Sequence, residues 1–440
     1  MKAALSALRR RIGPVLFLFI FLSAAAGIFF LSHLSGCAES GMPGPPGSVR
    51  LEFWTISLRP TYDKYIQDLI QYYEERNPGV RIEWIDIPIN VVMQKLMASI
   101  AGGVSPDLVN LNSEYAMILS QNNALVDMDA AVPEKIKSRY FPGLWKAAEY
   151  NGRNYAIPWY VTTQVVMYNA SIFRKAGLSP DSPPASWDDV ARCARAIKDK
   201  TGIYGFMPAI KLLDEWQCLG APVLSADRKK AVFDSPAGIA RLTWYVDLFK
   251  ADYFPRETLT QGYQRALEAL DRYQSGSLGM LIAGPQFLLK VRQNAPDVYK
   301  ETRVAPLPRG KAGIVPAATM NIVVPKASRH RREAVQFALF LTNEENQLNF
   351  CKLVPLLPST VLTAKDPYFV TGKGLGAEDE AVRVSIKQLF YAKDLSLGLK
   401  NSPELGRALK EAVENALYGR MTPAFALHKA AAKWNDILSR

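Results

Sequence analysis

From Val49 onward the chain alternates strand and helix patterns, and this order constrains the fold more than any other feature. Residues 51–55, Leu-Glu-Phe-Trp-Thr, read as a short strand. Tyr65, Ile66, Leu69, Ile70 and Tyr73 recur at helical spacing, so a helix runs to about Arg76. Asn77-Pro78-Gly79 is a turn. Residues 80–85 alternate as a half-buried strand does. A second helix covers 91–101 and stops at Gly102-Gly103, and 107–111 form a third strand. This β-α-β-α-β order predicts an α/β fold with a doubly wound, parallel sheet and helices on both faces. In such sheets ligands sit beyond the carboxyl ends of the strands. The loops after Trp54 and Leu111 are therefore the first places to look.

Further along, Asn151-Gly152 is a hairpin signal. Strands are predicted at 165–168, 278–283 and 320–324. Ser186 can cap a helix whose first turn carries Asp188 and Asp189, acids that complement its positive end. Helical patterns cover 237–249, 266–274, 332–341, 403–417 and 423–438. At 440 residues the chain is long enough for two large domains.

The N-terminus reads as an export signal. Arg9-Arg10-Arg11 precede an uncharged apolar run over 14–31, and Leu34-Ser35-Gly36-Cys37 follows. The last four residues resemble a bacterial lipobox, with Cys37 as the lipidated first residue of the mature chain. Residues 1–36 are then a signal peptide. The Gly- and Pro-rich stretch 37–48 is a flexible tether, and the body lies outside the cytoplasmic membrane, anchored by lipid. The alternative is an uncleaved signal anchor.

The formal net charge is +12, with 53 Lys and Arg against 41 Asp and Glu. Without the leader 49 face 41, spread along the chain apart from the run Arg329-His330-Arg331-Arg332, which reads as a solvated helix start. Only His330 and His428 follow the leader, a poor basis for a zinc site or a Ser-His-Asp enzyme. Cys193, Cys218 and Cys351 have no C-x-x-C spacing and read as buried free thiols. No P-loop, dinucleotide fingerprint, nucleophile elbow or H-E-x-x-H occurs, so neither a cofactor nor a metal is expected. No aromatic-basic alternation suggests a nucleic-acid partner.

Several short motifs, in order, then carry a resemblance. They are Phe53-Trp54-Thr55, Asn77-Pro78-Gly79-Val80 and Gly103-Val104-Ser105-Pro106-Asp107-Leu108. Next come Asn151-Gly152-Arg153-Asn154-Tyr155-Ala156-Ile157-Pro158 and Tyr168-Asn169-Ala170-Ser171-Ile172-Phe173 with Ala176-Gly177-Leu178. Pro184-Ala185-Ser186-Trp187-Asp188-Asp189, Tyr273-Gln274-Ser275-Gly276 and Gly284-Pro285 follow. Together the chain resembles the bacterial extracellular solute-binding proteins, the family that includes maltose-binding protein. The resemblance implies a two-lobed fold closing on a small-molecule ligand, a sugar above all, and delivery to the permease subunits of an ABC importer by a monomer. It implies one lobe of 49–160 plus 317–358 and a second of 161–316 plus 359–440. Crossings are expected near 158–163 and 317–319.

It also implies where ligand contacts fall. Trp159 and Tyr160 follow Pro158 and look like cleft aromatics, offering faces on which sugar C–H groups stack. Thr162 stands where relatives often carry an acid, and Gln164 where some carry Arg. Gln286 stands where maltose-binding protein has a stacking Trp, which argues against a long maltodextrin. Trp54, Ser57 and Arg59 flank the first loop, and Arg59 can pair with a phosphate or carboxylate. Asn112 and Glu114 follow the third strand. Trp216 falls in the second lobe near the cleft, and Thr319 and Met320 follow a crossing.

Three functions remain open from sequence. A binding protein needs no catalytic residues. An exported glycosidase would need two carboxylates at a defined spacing, and no such pair is apparent. A sensor subunit would share fold and ligand and differ in its partner. An anionic solute such as glycerol phosphate is the alternative ligand.

Overall fold

The structure, a computed structural model, describes residues 48–440 apart from 257–261, 354–355, 372–373, 375 and the side chains of 262–264. The leader, Cys37 and all but the last residue of the tether lie outside the described residues.

The predicted alternation is present. β1 (Val49–Ile56), α1 (Asp63–Arg76), β2 (Val80–Ile87), α2 (Val92–Ala101), β3 (Leu108–Asn112) and α3 (Ser113–Gln121) open the fold. β1 pairs in parallel with both β2 and β3, as the crossover helices require. The later strands depart from an all-parallel sheet. β4 (Ile157–Thr163) continues through Gln164 into β5 (Val165–Asn169), and β6 (Tyr204–Phe206), β7 (Leu278–Ala283) and β8 (Thr302–Pro306) follow. β9 (Val315–Val323), β10 (Leu357–Pro358) and β11 (Ala392–Asp394) come later in the chain. The larger sheet runs β10-β4-β9-β3-β1-β2, with β11 beside β9. The smaller runs β8-β5-β7-β6. β9 is antiparallel to β3 and β4, and β5 to β7 and β8, so both sheets are mixed. Strands entering a sheet directly from its neighbour need no crossover helix and can reverse direction.

The later helices include α4 (Trp187–Thr201), α5 (Leu212–Cys218), α6 (Pro236–Lys250), α7 (Gly262–Gln274), α8 (Arg331–Leu341), α9 (Glu344–Leu353), α10 (Ala377–Leu389), α11 (Ser402–Leu417) and α12 (Pro423–Leu438). Ser186 caps α4 in a reciprocal box with Asp189. Arg329, Arg331 and Arg332 are exposed at the start of α8, as a solvated helix start should be. Asn151 and Gly152 both take positive φ, 51° and 73°, which is the turn that a two-residue hairpin needs.

Side chains alternate across each strand, so the sheets have two packed faces. Phe53 joins Leu108, Ile157, Phe337 and Phe350 on one face of the larger sheet. Its neighbour Trp54 joins Leu96, Val109, Leu111 and Leu119 on the other. One face of the smaller sheet packs on α4, α6, α11 and α12 through Val166, Ile197, Leu242, Leu405 and Trp434. The opposite face packs on α7 and α10 through Met167, Ala269, Tyr273 and Ala381. Cys193, Cys218 and Cys351 are free and buried.

Gln164 is the single residue between a strand of the larger sheet and a strand of the smaller one. Residues 158–163, expected as a crossing, are sheet, and so are 317–319 within β9. The return passage is 307–314. The buried Gln388 of α10 ties both passages. Its Nε2 donates to the Gln164 carbonyl at 3.0 Å, and its Oε1 accepts from the Leu307 N–H at 2.7 Å. A further connection leads from β11 to α11. β11 hydrogen-bonds into the larger sheet, although sequence placed 359–440 with the second lobe.

Candidate ligand cavity beside Gln164

Beside Gln164 lies a cavity of about 690 Å³. Its walls are residues 209–214, the start of α7 at Arg265 and Ala266, and one face of α11 from Pro403 to Glu414. Leu212, Leu409 and Val413 give it apolar surface, and Lys211, Asp214, Arg265, Arg407, Lys410 and Glu414 give it charge. This mix of apolar wall and few convergent polar groups is what a small-molecule site needs.

Each wall is fixed by local bonds. In α5, Glu215 accepts from the Arg241 guanidinium and, at 2.7 Å, from the Tyr245 hydroxyl. It also accepts the Lys211 backbone N–H at 3.2 Å, closing the helix start. With Glu215 pinned inward on α6, the adjoining residues point apart, because successive helical residues turn by about 100°. Asp214 lines the cavity, and Trp216 enters the core, stacked on Phe233 at 5.0 Å with its indole N–H donating to the Gly238 carbonyl. Arg265 Nη1 donates to the Met207 carbonyl at 2.9 Å, joining α7 to the strand end that leads into α5. On α11, Leu405, Ala408, Ala412 and Ala416 bury one side, while Arg407, Lys410 and Glu414 recur with Leu409 and Val413 at helical spacing on the cavity side. Lys410 pairs with Glu414 at 3.6 Å.

Burial shapes the titration here. Desolvation pushes the Asp214 carboxyl up; Lys211 opposes this, and Glu215 and Asp394 add to it. Burial lowers the Arg265 guanidinium, and Tyr245 and Glu268 oppose it. Among the described residues no group of three or more His, Cys, Asp or Glu is placed to hold a metal ion.

The residues expected as contacts scatter. Trp159 is 1% exposed and stacks on Phe350 at 5.2 Å and 14°, so it is core and does not face the cavity. Trp54 is also core, its indole N–H bonded to Glu52 and Lys95 lying 4.8 Å above its ring. Thr319 is buried, its N–H donating to Asp394 at 3.0 Å. Tyr160, Thr162 and Met320 are half-buried on neighbouring strands, Met320 opposite Tyr160 and Thr162 opposite Ala318. Asn112 caps α3, accepting the Tyr115 N–H at 2.8 Å. Glu114 accepts the N–H groups of Gly398 and Leu399 at 3.0 and 3.3 Å and the Ser402 hydroxyl, so its oxygens are committed to the β11–α11 connection. Ser57 is exposed at φ 50°. Arg59 lies over Trp84 at 4.3 Å and 3.6 Å from Asp63. Gln286 lines a separate cavity of about 180 Å³ with Lys352 and Tyr368. Of the residues weighed from sequence, Gln164 alone lines the large cavity.

Arg265, Asp214, Lys211, Arg407 and Lys410 were missed. One signal was present. Arg265, Ala269 and Tyr273 stand at i, i+4 and i+8, so Arg265 interrupts an apolar stripe. A helix read from Ala266 excludes it by one residue.

This fold, two mixed sheets joined by short passages with a polar cavity at one of them, is that of a binding protein for small solutes. Residues 57–348 match the bacterial extracellular solute-binding protein family, and the chain belongs to it. It is similar to a periplasmic-binding protein of Synechococcus sp. MITs9220 ascribed to oligosaccharides. That likeness has 31% identity, covers 88% of this chain and 99% of that one, and has a TM-score of 0.78. The sugar-binding protein MalE of Xanthomonas citri shares the fold at 20% identity, covering 89% and 98%, with a TM-score of 0.75. The sn-glycerol-3-phosphate-binding periplasmic protein UgpB of Salmonella paratyphi A is 25% identical over 425 residues, 89% of this chain and 92% of that one.

Proposed function

We propose that the chain is the substrate-binding component of an ABC importer, capturing one sugar or sugar-like solute in the cavity beside Gln164 and handing it to the permease. The cavity itself carries this reading. It is large enough for a small polyol or sugar, and it adjoins the passage where a change of angle between the two sheets would open or close it. Two lobes would then form around the two sheets. Their boundaries would follow 49–160 with 317–358 and 161–316 with 359–440, except that β11 goes with the first. The Synechococcus and Xanthomonas proteins, named for oligosaccharides and sugar, support the ligand class.

The chain acts as a monomeric binder without catalysis. It is lipid-anchored at Cys37 behind a cleaved leader on the outer face of the cytoplasmic membrane. Among the described residues no helix is long and apolar enough to cross a membrane. A thermal-shift screen of sugars and polyols, with the solute recovered afterwards, tests the reading. A ligand at a hundred times its Kd stabilises the fold by about 2.7 kcal/mol. A shift with the solute recovered unchanged supports it, and turnover of the solute rejects it.

The second reading, an anionic polyol, is favoured by the four cations that face two carboxylates around the cavity and by the UgpB relative.

A further inference from the structure

Two buried arginines of this fold make an instructive contrast. Arg241 is 7% exposed and charge-paired: Nε donates to the Glu215 carboxylate, Nη2 donates to the Tyr245 hydroxyl at 3.3 Å, and the guanidinium lies 4.1 Å from the Trp244 ring. This is how a buried structural guanidinium is satisfied, because an unpaired buried charge is costly. Arg265 is 6% exposed, yet among the described residues its one hydrogen bond goes to a neutral carbonyl, that of Met207. Among the described residues no carboxylate lies within 4.0 Å of it. Glu268, one turn along α7, is the acid whose charge it feels from further off. A guanidinium has five N–H donors, so among the described residues most of this one's capacity is uncommitted, and it lines the 690 Å³ cavity.

We propose that Arg265 is the seat of an anionic group, a phosphate or carboxylate carried by a polyhydroxylated solute, in the cavity between α5, α7 and α11. The inference rests on the solute-binding reading and gives it a ligand class. A planar guanidinium takes two oxygens of such a group at once, and the pairing offsets the cost of burying Arg265. Arg407 and Lys211 stand exposed on the same walls and draw an anion inward. Asp214 shares the cavity without pairing with Arg265. A carboxylate there repels the anion and accepts from hydroxyls, which sets the polyol end against α5 and the charged end against α7.

The test is calorimetric titration of the purified full chain with sn-glycerol 3-phosphate, glucose 6-phosphate, glucuronate and inorganic phosphate, beside neutral glycerol, glucose and maltose. The expected result is one-to-one binding of a phosphorylated or carboxylated polyol, with its neutral counterpart about a hundredfold weaker. Arg265→Gln then loses about a hundredfold, and Arg265→Lys recovers part of it. Arg407→Gln, exposed and outside the core, loses a few-fold and flattens the salt dependence, so the inference stays testable if the Arg265 variants fold poorly. Neutral sugars binding tightest, with Arg265→Gln within threefold of wild type, would overturn the anion seat and leave the solute-binding reading standing. No binding of either class would overturn both. Inorganic phosphate binding as tightly as the best polyol would overturn the polyol half of the assignment.

Discussion

The Glu114 carboxylate of α3 accepts the Gly398 backbone N–H at 3.0 Å, joining the first wound half of the larger sheet to the connection that enters α11. Leu399 and Ser402 donate to the same carboxylate, and Ser113, next to it, donates to Asp394 at 2.7 Å. Bonds to a charged acceptor are the stronger kind, roughly 1.5–3 kcal/mol each net. Glu114→Ala removes three such bonds and is therefore expected to cost about 4 kcal/mol or more in chemical denaturation. Hydrogen exchange should speed at Gly398 and Leu399 and leave α4 unchanged. Unchanged exchange at 398–402 would show that the carboxylate does not hold this connection.

Trp159 gives a different expectation from that of a ligand-stacking residue. It packs on Phe350, and its neighbour Tyr160 meets the same ring edge-on at 5.3 Å. Trp159→Ala should lower stability by about 3–5 kcal/mol, as large-to-small aromatic changes in cores do. Trp159→Phe should keep solute affinity within about twofold, since no ligand contact is lost. A selective loss of affinity at full stability would return Trp159 to the site.

Asp214 sets a pH dependence. Burial raises its pKa in the fold above the ordinary 3.8. Below about 3.8 folded and unfolded chains both hold the proton. Between that value and the raised one the folded state holds more, so its contribution to stability is lost as pH rises. At neutral pH the fold carries a half-buried, partly desolvated carboxylate at a cost. Asp214→Asn should therefore melt higher than wild type at pH 7 without ligand, with the gap narrowing toward pH 4. A gap that widens on acidification would contradict this sign.

The thiols should be inert in the native state. Burial pushes Cys218 up to about 12 and raises Cys193 and Cys351 as well. Alkylation at pH 8 followed by peptide mapping should leave all three unmodified until denaturant is added. Native labelling of any one would mean that its element opens.

The β-α-β-α-β opening was readable because each element carries its own period: Leu69, Ile70 and Tyr73 on one helix face, Phe53 and Trp54 on opposite strand faces. Strand direction in the later elements was not readable, since β4 and β5 look alike in sequence and differ in which sheet accepts them. At the site, aromatic content did not distinguish core from cavity. Trp159 was expected as a cleft aromatic and Trp216 near the cleft, and both are buried in the cores. Sequence located the α5 neighbourhood but not the face that α5 turns outward. That choice is made by the Arg241–Glu215 pair, a contact between residues 26 positions apart.

The most direct test of solute capture beside Gln164 is a co-crystal structure with the solute that gives the largest thermal shift. One molecule, chemically unchanged, is expected in the cavity between Asp214, Arg265 and Arg407 and within reach of Gln164. A solute bound elsewhere, or recovered as a reaction product, would contradict it.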